Sequence, residues 1–273
     1  MDQQERPGLP DYLQELMDRL GQTIPSSEIP SYKCEKCHDT GWLWEKAETG
    51  ERFARKCSCR LAREAEEKIA ASGLAGAVGM QTFDSFEAQT PAQETIRNSA
   101  QKYLASLLKD WDGPRKPWFY IGGCPGAGKT HICTAICGEL LKVNIGVKYM
   151  QWLNEARRLK AMVNDEDFED QVSEYIGVQV LYIDDLLKQK WTEHPVFSDA
   201  DIKIAFTILN ARYILNRPTI ISSEWDLMEH LLPADEATFS RVYERCRGHL
   251  VNITRRPANN FRMRGAGNDR GGI

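Results

Sequence analysis

The feature that most constrains this chain is an octapeptide, Gly123-Cys124-Pro125-Gly126-Ala127-Gly128-Lys129-Thr130, which satisfies the pattern G-x-x-x-x-G-K-[ST]. A short apolar segment at residues 118–121 predicts a strand directly before it, and apolar residues at helical spacing from 132 to 140 predict a helix directly after it. Glycines let backbone N–H groups surround a polyphosphate, and the start of a helix adds a positive dipole end. We therefore expect all eight residues to bind a nucleotide, with Lys129 on the phosphate oxygens and Thr130 on Mg²⁺.

Two acids follow a second apolar segment, Val178 to Ile183, which predicts a strand that ends in Asp184 and Asp185. A site that hydrolyses a nucleotide needs acids at the tip of a neighbouring strand, where they can hold the metal ion and orient water. We assign the magnesium-binding role to Asp184 and the water-polarising, catalytic role to Asp185. The alternative is that both acids only cap the helix that follows.

Apolar strands alternate with amphipathic helices along the middle of the chain. The predicted strands are 118–121, 147–150, 178–183 and 219–221, and the predicted helices are 92–108, 132–140, 152–163 and 202–215. This alternation predicts an α/β fold with a parallel sheet flanked by helices. Because 273 residues exceed the needs of one compact domain, we divide the chain into an N-terminal domain (1–76), a nucleotide-binding domain (77–262) and a flexible basic tail (263–273). The N-terminal domain starts with a predicted amphipathic helix at Leu13 to Leu20.

Four of the eight cysteines form two close pairs, Cys34-x-x-Cys37 and Cys57-x-Cys59. The polar stretch between the pairs predicts a hairpin that returns the second pair to the first, and four thiolates suit tetrahedral Zn²⁺. His38 is an alternative ligand for one position, and a redox role is disfavoured because the pairs lie outside any βαβ unit. The other four cysteines are expected to be small core groups, since their neighbours are apolar: Cys124, Cys133, Cys137 and Cys246.

Charge and hydropathy limit where in the cell the protein can act and which kinds of partner it can bind. The chain has no apolar run of about 18 residues and no N-terminal secretory pattern, so we expect a cytoplasmic protein without a membrane partner. A net charge of −4 excludes a uniformly basic surface, and no run of basic and aromatic residues indicates a platform for single-stranded DNA. Arg157, Arg158, Lys160 and the basic tail could bind the phosphates of a nucleic acid, and the alternative is that these charges form a solvated face. We expect the acidic stretch from Asp165 to Asp170 to be an exposed loop.

The order of several motifs resembles a known family. GCPGAGKTHIC precedes VLYIDDL, a helix with Asn210, Arg212 and Tyr213, then PTIISSEW and SRVYERC. This order, across residues 82–262, resembles the AAA+ ATPases of the DnaC/DnaI type, which load replicative helicases, and the IstB transposition ATPases share its first two features. The resemblance implies an AAA+ P-loop fold and an enzyme that binds ATP with Mg²⁺ and hydrolyses it.

The resemblance also implies roles for residues outside the phosphate loop. Ser223 and Glu224 stand where the family places its nucleotide-sensing polar group, and which of the two senses the nucleotide stays open. Arg241 resembles the arginine finger that reaches a neighbouring subunit's nucleotide, so it implies self-association through the AAA+ domains. Arg245 is a second possibility for this role, Arg262 matches a C-terminal family arginine, and the alternative is that Arg241 and Arg245 are surface charges.

The cysteine segments YKCEKCHDTGW and KCSCRLA resemble the N-terminal zinc domain of DnaI-type loaders and of related phage and mobile-element proteins. This resemblance implies that the chain binds a hexameric replicative helicase and helps to place it on single-stranded DNA in the primosome. Two other functions stay open at this point. One is an IstB-type transposition ATPase that binds duplex DNA, and the other is a zinc adaptor that binds ATP without hydrolysing it.

Overall fold

A computed structural model describes residues 32–47 and 50–263, and these divide into two compact units between Leu61 and Ala62. The predicted helix at 13–20 and the predicted tail from 264 onward lie outside the described residues. The division falls after Leu61, earlier than the predicted boundary after residue 76, because the intervening residues bond to the larger unit. For example, the Tyr149 N–H donates to the Ser72 carbonyl at 2.7 Å.

The N-terminal unit contains the predicted hairpin, which is confirmed as an antiparallel pair of strands. Strand β1 is Trp42–Lys46 and strand β2 is Arg52–Lys56, and Trp42 lies opposite Lys56. Gly41 precedes β1 with φ of +75°, a conformation that costs glycine little. The helix α1, Ser58–Ala71, begins directly after Cys57 and runs past the dividing point between the units.

The larger unit carries the predicted α/β fold. Its strands are β3 (Phe119–Gly123), β4 (Val147–Gln151), β5 (Val180–Asp184), β6 (Thr219–Ser222) and β7 (Leu250–Ile253). They form one parallel five-stranded sheet in the order β4-β5-β6-β3-β7. The helices are α2 (Ala75–Val78), α3 (Pro91–Lys109), α4 (Lys129–Lys142), α5 (Trp152–Ala161), α6 (Phe168–Gly177), α7 (Asp199–Ile214), α8 (Leu232–Ala234) and α9 (Glu236–Arg245), and a π-helical turn at Leu227–Leu231 precedes α8. The fold class predicted from the sequence is therefore confirmed.

The central strands are mostly apolar because helices cover both faces of the sheet. Every residue of β3, β5 and β6 is buried. From Trp118 into β3 the side chains alternate between two cores: Phe119 and Ile121 pack with α3 and α4, whereas Trp118 and Tyr120 pack with α5, α7 and α9. This two-sided burial explains the continuous apolar runs, which are typical of parallel sheets. No helix among residues 32–47 and 50–263 is long and apolar enough to cross a membrane.

Several elements differ from the sequence expectation. Strand β7 was not predicted, and the stretch from Asp165 to Asp170 is only partly a loop, since α6 begins at Phe168 and contains Asp170. Acidic residues are stabilised in the first turn of a helix by the helix dipole, so an acidic stretch is compatible with an exposed loop and with the start of a helix. The four cysteines expected in the core are buried, as predicted.

Arg212 is a fully buried cation at the C-terminal end of α6. Its guanidinium donates to the carbonyls of Tyr175 at 2.9 Å, Ile176 at 3.1 Å and Val178 at 3.0 Å, and to the Thr219 hydroxyl at 2.9 Å. These carbonyls lie at the negative end of the helix dipole, which favours a cation. Burial lowers the pKa of Arg212 to about 9, still above neutral pH. The residue ties α6 and the segment before β5 to β6, and so helps to fix the strand that carries Asp184.

Candidate nucleotide site and metal centre

The phosphate loop lies between the end of β3 and the start of α4, the context predicted from the sequence. Gly123, Gly126 and Gly128 have φ values of +101°, +71° and +83°, which other residues rarely adopt. The Lys129 ammonium is buried beneath the loop and donates to the carbonyls of Gly123 at 3.1 Å and Cys124 at 2.9 Å. Burial lowers the pKa of Lys129, and the nearby Asp185 and Glu224 oppose that shift. The loop thus holds a partly compensated cation that an anion would stabilise.

The segment from β7 onward fixes the shape of this loop. A Cβ added to Gly123 would lie 2.0 Å from the Ile253 carbonyl oxygen, and one added to Gly126 would lie 2.0 Å from the Asn260 side-chain oxygen. The Cys124 N–H donates to Ile253 at 2.9 Å, and the Phe261 N–H donates to Gly126 at 3.0 Å. Glycine is therefore required here for packing as well as for close approach to phosphate.

Asp184 lies at the C-terminal end of β5 and accepts hydrogen bonds from hydroxyl groups of several elements. Thr130 donates to it at 3.2 Å, Tyr149 at 3.0 Å and Tyr182 at 2.7 Å, and Ser222 also donates. Burial and the nearby Asp184 raise the pKa of both tyrosines, so they remain protonated donors. Thr130 and Asp184, which the sequence separates by 54 positions, are therefore in direct contact.

Asp185 follows in the left-handed region, with φ of +56°, and it lines the cleft. The Lys188 ammonium lies 2.6 Å from Asp185 Oδ2 and 3.3 Å from Glu224 Oε1. Arg255 donates to the Glu224 carbonyl at 3.0 Å. Lys188 therefore forms ion pairs with both Asp185, which follows β5, and Glu224, which follows β6.

The cleft brings most of the predicted site residues together. The residues that line it are Gln81, Pro125, Gly126, Gly128, Lys129, Thr130, His131, Asp185, Lys188, Glu224 and Arg262. Ser223 is not among them, because its hydroxyl is buried, donates to the Leu186 carbonyl at 2.9 Å and accepts from the Trp225 N–H at 3.2 Å. Of the two sensing residues that the sequence left open, Glu224 is the one that reaches the cleft.

The two arginines of α9 differ in their surroundings. Arg241 donates to the Ala237 carbonyl of its own helix, and its guanidinium lies 5.9 Å from the Tyr213 ring. Arg245 donates to Asn216 Oδ1 at 2.9 Å and to the Tyr213 carbonyl at 2.8 Å. Arg245 thus holds α9 to the end of α7 by hydrogen bonds, whereas the contact of Arg241 with α7 is the stacking of its guanidinium over the Tyr213 ring.

Sequence reasoning missed Lys188 and an aromatic pocket beside the loop. The pocket is lined by Ser85, Phe86, Glu87, Gln93, Gly128, His131 and Phe261. The rings of Phe86 and His131 meet edge to face at 5.2 Å, and those of Phe86 and Phe261 at 6.4 Å. No motif joins these residues, because only the fold brings position 86 next to position 261. For Lys188 the sequence offers one weak indication: it follows Asp185 by three residues, a spacing that allows an ion pair within one turn.

The four cysteine sulfurs of the N-terminal unit form one cluster. All lie within 4.8 Å of one another, with Cys34 and Cys57 at 3.7 Å and Cys37 and Cys59 at 3.3 Å. Sulfurs around one tetrahedral zinc ion with bonds of about 2.3 Å are about 3.8 Å apart, so this donor set fits Zn²⁺. A hydrogen bond from the Cys59 backbone lowers the pKa of the Cys57 thiol to about 6, whereas the hydrogen bond with Cys37 raises the pKa of the Cys59 thiol to about 12. His38 lies outside the cluster and packs against Tyr32 at 4.6 Å.

Comparisons with known proteins agree with this geometry. The family model described as "IstB-like ATP binding protein" matches residues 53–258. The phage-like element PBSX protein XkdC of Bacillus subtilis is 30% identical over 235 residues, which cover 83% of this chain and 84% of that protein. The replicative helicase loader DnaC of Escherichia coli is 27% identical over 130 residues, 46% of this chain and 49% of that protein.

A crystal structure described as that of the DnaC helicase loader shares the fold. It has a TM-score of 0.51 and 19% identity, and the match covers 63% of this chain and 96% of that one. The family match spans more than half of the chain, and the match to XkdC spans most of both proteins. The chain therefore belongs to the IstB/DnaC-like family of ATP-binding ATPases.

Proposed function

We propose that this chain is an ATP-dependent loader that binds a hexameric replicative helicase and helps to place it on single-stranded DNA. The observation that carries the proposal is the four-cysteine cluster on the same chain as an IstB/DnaC-like ATPase. DnaI-type loaders combine these two units, as the resemblance of both segments implies. Similarity to a helicase loader from Escherichia coli supports the same function.

For ATP hydrolysis, we assign phosphate binding to the loop from Gly123 to Thr130, with Lys129 stabilising the charge of the terminal phosphates. Thr130 and Asp184 are the magnesium-binding pair, since their oxygens already meet at 3.2 Å and hard oxygen donors suit Mg²⁺. When bound, Mg²⁺ neutralises developing phosphate charge. Asp185 polarises the attacking water, and Glu224 senses the nucleotide from the end of β6.

Lys188 links nucleotide binding to these acids. Its ion pairs compensate the negative charge of Asp185 and Glu224, which would otherwise repel a polyphosphate in the same cleft. Phosphate oxygens bound at the phosphate loop compete with the carboxylates of Asp185 and Glu224 for the Lys188 ammonium. The aromatic pocket beside Gly128 offers ring surfaces to the base of the nucleotide.

Zinc, bound by Cys34, Cys37, Cys57 and Cys59, supplies the N-terminal unit with folding free energy that its small core cannot provide. In the loader, this unit holds the helicase while the ATPase units assemble head to tail. Arg241 then completes the neighbouring subunit's site. ATP binding thereby favours the assembled state, and hydrolysis favours release.

Co-purification tests the proposal. The full-length chain is mixed with candidate replicative helicases, with ADP or with a slowly hydrolysed ATP analogue, and the complexes are separated by size. We expect a stoichiometric complex with one helicase that the ATP analogue stabilises. Failure to bind any replicative helicase in either nucleotide state would refute the loader function.

Asp185→Asn separates an ATPase from an adaptor that uses ATP only as a structural ligand. Because loss of a general base costs about 10² to 10⁴ in rate, we expect ATP turnover to fall by that factor while ATP binding persists. The measurements are steady-state phosphate release and equilibrium nucleotide binding. Glu193→Gln, at an exposed acid outside the cleft, is the control and should leave turnover unchanged. Equal turnover in the two variants would remove Asp185 from the reaction.

A second function, that of an IstB-type transposition ATPase, is favoured by the description of the matching family model. It requires ATP-dependent assembly on duplex DNA with no helicase present. Sedimentation with duplex and with single-stranded DNA distinguishes the two functions, since only the transposition ATPase should form large assemblies on the duplex.

A further inference from the structure

The hairpin of the N-terminal unit has two chemically different faces. Alternate residues of a strand point to opposite sides, and residues directly across the pair share a side. The register places Trp42 opposite Lys56, Trp44 opposite Ala54 and Lys46 opposite Arg52. We call this side, with its two tryptophans and three cations, the tryptophan face. The opposite face carries Leu43, Glu45, Phe53 and Arg55.

Both tryptophans of this face are exposed to solvent, Trp44 much more than Trp42. Trp44 is 74% exposed and Trp42 is 39% exposed. Large aromatic side chains are usually well buried, so an exposed pair on a rigid strand indicates a contact surface. Their positions, two residues apart in β1, separate the side chains by about 6.8 Å along the strand. One extended ligand can therefore reach both rings.

The charges that the strands place on the tryptophan face have a single sign. Lys46 lies directly opposite Arg52, an arrangement of like charges that destabilises a strand pair. Arg60 adds a further cation, because its guanidinium lies 4.3 Å from the centre of the Trp42 ring. Glu45 is the only acid in the two strands, and it lies on the opposite face, where it accepts a hydrogen bond from Arg55 at 2.7 Å. The two strands thus supply cations to the tryptophan face and their one acid to the other face.

We propose that the tryptophan face binds single-stranded DNA, with bases stacked on Trp44 and Trp42 and phosphates next to Lys46, Arg52 and Lys56. Exposed aromatic rings among cations are the combination that binds single strands without sequence preference. A duplex does not suit the rings, because its base faces are already stacked. The inference rests on the proposed handling of single-stranded DNA and deepens it by naming the surface. No single run of the sequence shows this platform, because its residues are split between two strands and come together only through their register.

Fluorescence anisotropy with a labelled oligothymidine tests the proposal on the full-length chain. For Trp44→Ala we expect the Kd to rise about 10-fold, the usual effect of losing one base-stacking ring. The matched control is Phe53→Ala, which removes a 46% exposed aromatic side chain from the opposite face of the same hairpin and should leave the Kd unchanged. Zinc content per chain, measured for each variant, verifies that the unit remains folded.

The salt dependence of binding gives a second, independent measurement. The double variant Lys46→Gln/Arg52→Gln should reduce the slope of log K against log salt by about 1.4, since each phosphate contact to a single strand contributes about 0.7. An unchanged slope, or equal Kd values for Trp44→Ala and Phe53→Ala, would overturn the proposal.

Parallel co-purification with the helicase separates this inference from the proposed function. If Trp44→Ala loses the helicase but keeps the oligonucleotide, the face binds protein and the inference is wrong while the loader function stands. If the wild-type chain binds no helicase, yet binds the oligonucleotide in a Trp44-dependent manner, the loader function fails and the surface assignment is retained.

Discussion

In the described part of the N-terminal unit, the buried side chains are those of Cys37 and Cys57, whereas the ATPase unit buries two apolar layers, one on each face of its sheet. Small units cannot bury enough apolar surface to offset the loss of chain entropy, but a unit of about 200 residues can. If zinc binds the four-cysteine cluster as proposed, one chain combines a unit that is stabilised by a bound metal with a unit that is stabilised by its apolar core. The two units should therefore respond to different perturbations.

Removal of zinc should have the largest effect and should be confined to one unit. A structural site of four cysteines contributes on the order of 10 kcal/mol, so a zinc-selective chelator or Cys37→Ser should abolish hydrogen-exchange protection in residues 32–56. Turnover by the ATPase unit should stay within about twofold in excess Mg²⁺, because no cluster cysteine lines the cleft. Cys137→Ala is the reciprocal control, since its thiol is buried in the other unit. Hydrogen-exchange protection of the hairpin without metal would show that the N-terminal unit does not depend on zinc.

Arg241→Ala should lower ATP turnover about 10³-fold with little change in Tm, because an arginine finger acts on a neighbouring site. Arg245→Ala is the paired variant, and it should lower Tm instead, since it removes the bonds to Asn216 and Tyr213. Mixing Arg241→Ala with Asp185→Asn subunits should restore part of the turnover, because some interfaces then pair an intact Asp185 with an intact Arg241. No recovery on mixing would argue against action between subunits.

Arg212→Met should destabilise the ATPase unit alone. The change leaves several buried carbonyls without a donor, and we expect a loss of about 3 kcal/mol, or about 10 °C in Tm for a unit of this size. Differential scanning calorimetry of the full-length chain should show this shift while zinc content stays at one ion per chain. A simultaneous loss of zinc would mean that the two units unfold together.

Lys188→Met should have the smallest effect. Loss of its ion pairs leaves Asp185 and Glu224 uncompensated in the cleft, and we expect ATP to bind about fivefold more weakly, in keeping with the modest energies of partly exposed ion pairs. Lys190→Met, two residues away and exposed, should leave affinity unchanged. Equal affinities for the two variants would show that Lys188 has no role in nucleotide binding.

The parts of the molecule that are marked by a short sequence motif or an apolar run could be predicted from the sequence. The phosphate loop has its own pattern, and the apolar runs before it and before Asp184 mark strands buried on both sides. From these, the α/β class and the contact between Thr130 and Asp184 follow. The cysteine spacing similarly indicates a four-sulfur cluster.

The remaining features depend on contacts between distant segments. Strand β7 has only four residues, and its apolar character becomes informative only when it lies beside β3. Ser223 and Glu224 are neighbours in sequence, and only the turn after β6 decides which side chain enters the cleft. The tryptophan face depends on cross-strand register, which a linear pattern of basic and aromatic residues does not reveal.

The contacts of Ile253, Asn260 and Phe261 with the phosphate loop have a consequence for biosynthesis. The loop is translated first, but the backbone groups that hold its glycines in place emerge from the ribosome more than 100 residues later. A nascent chain that stops before β7 therefore has the complete nucleotide-binding motif and no formed site. Competence to bind ATP should appear late in synthesis and report that nearly the whole unit has been made.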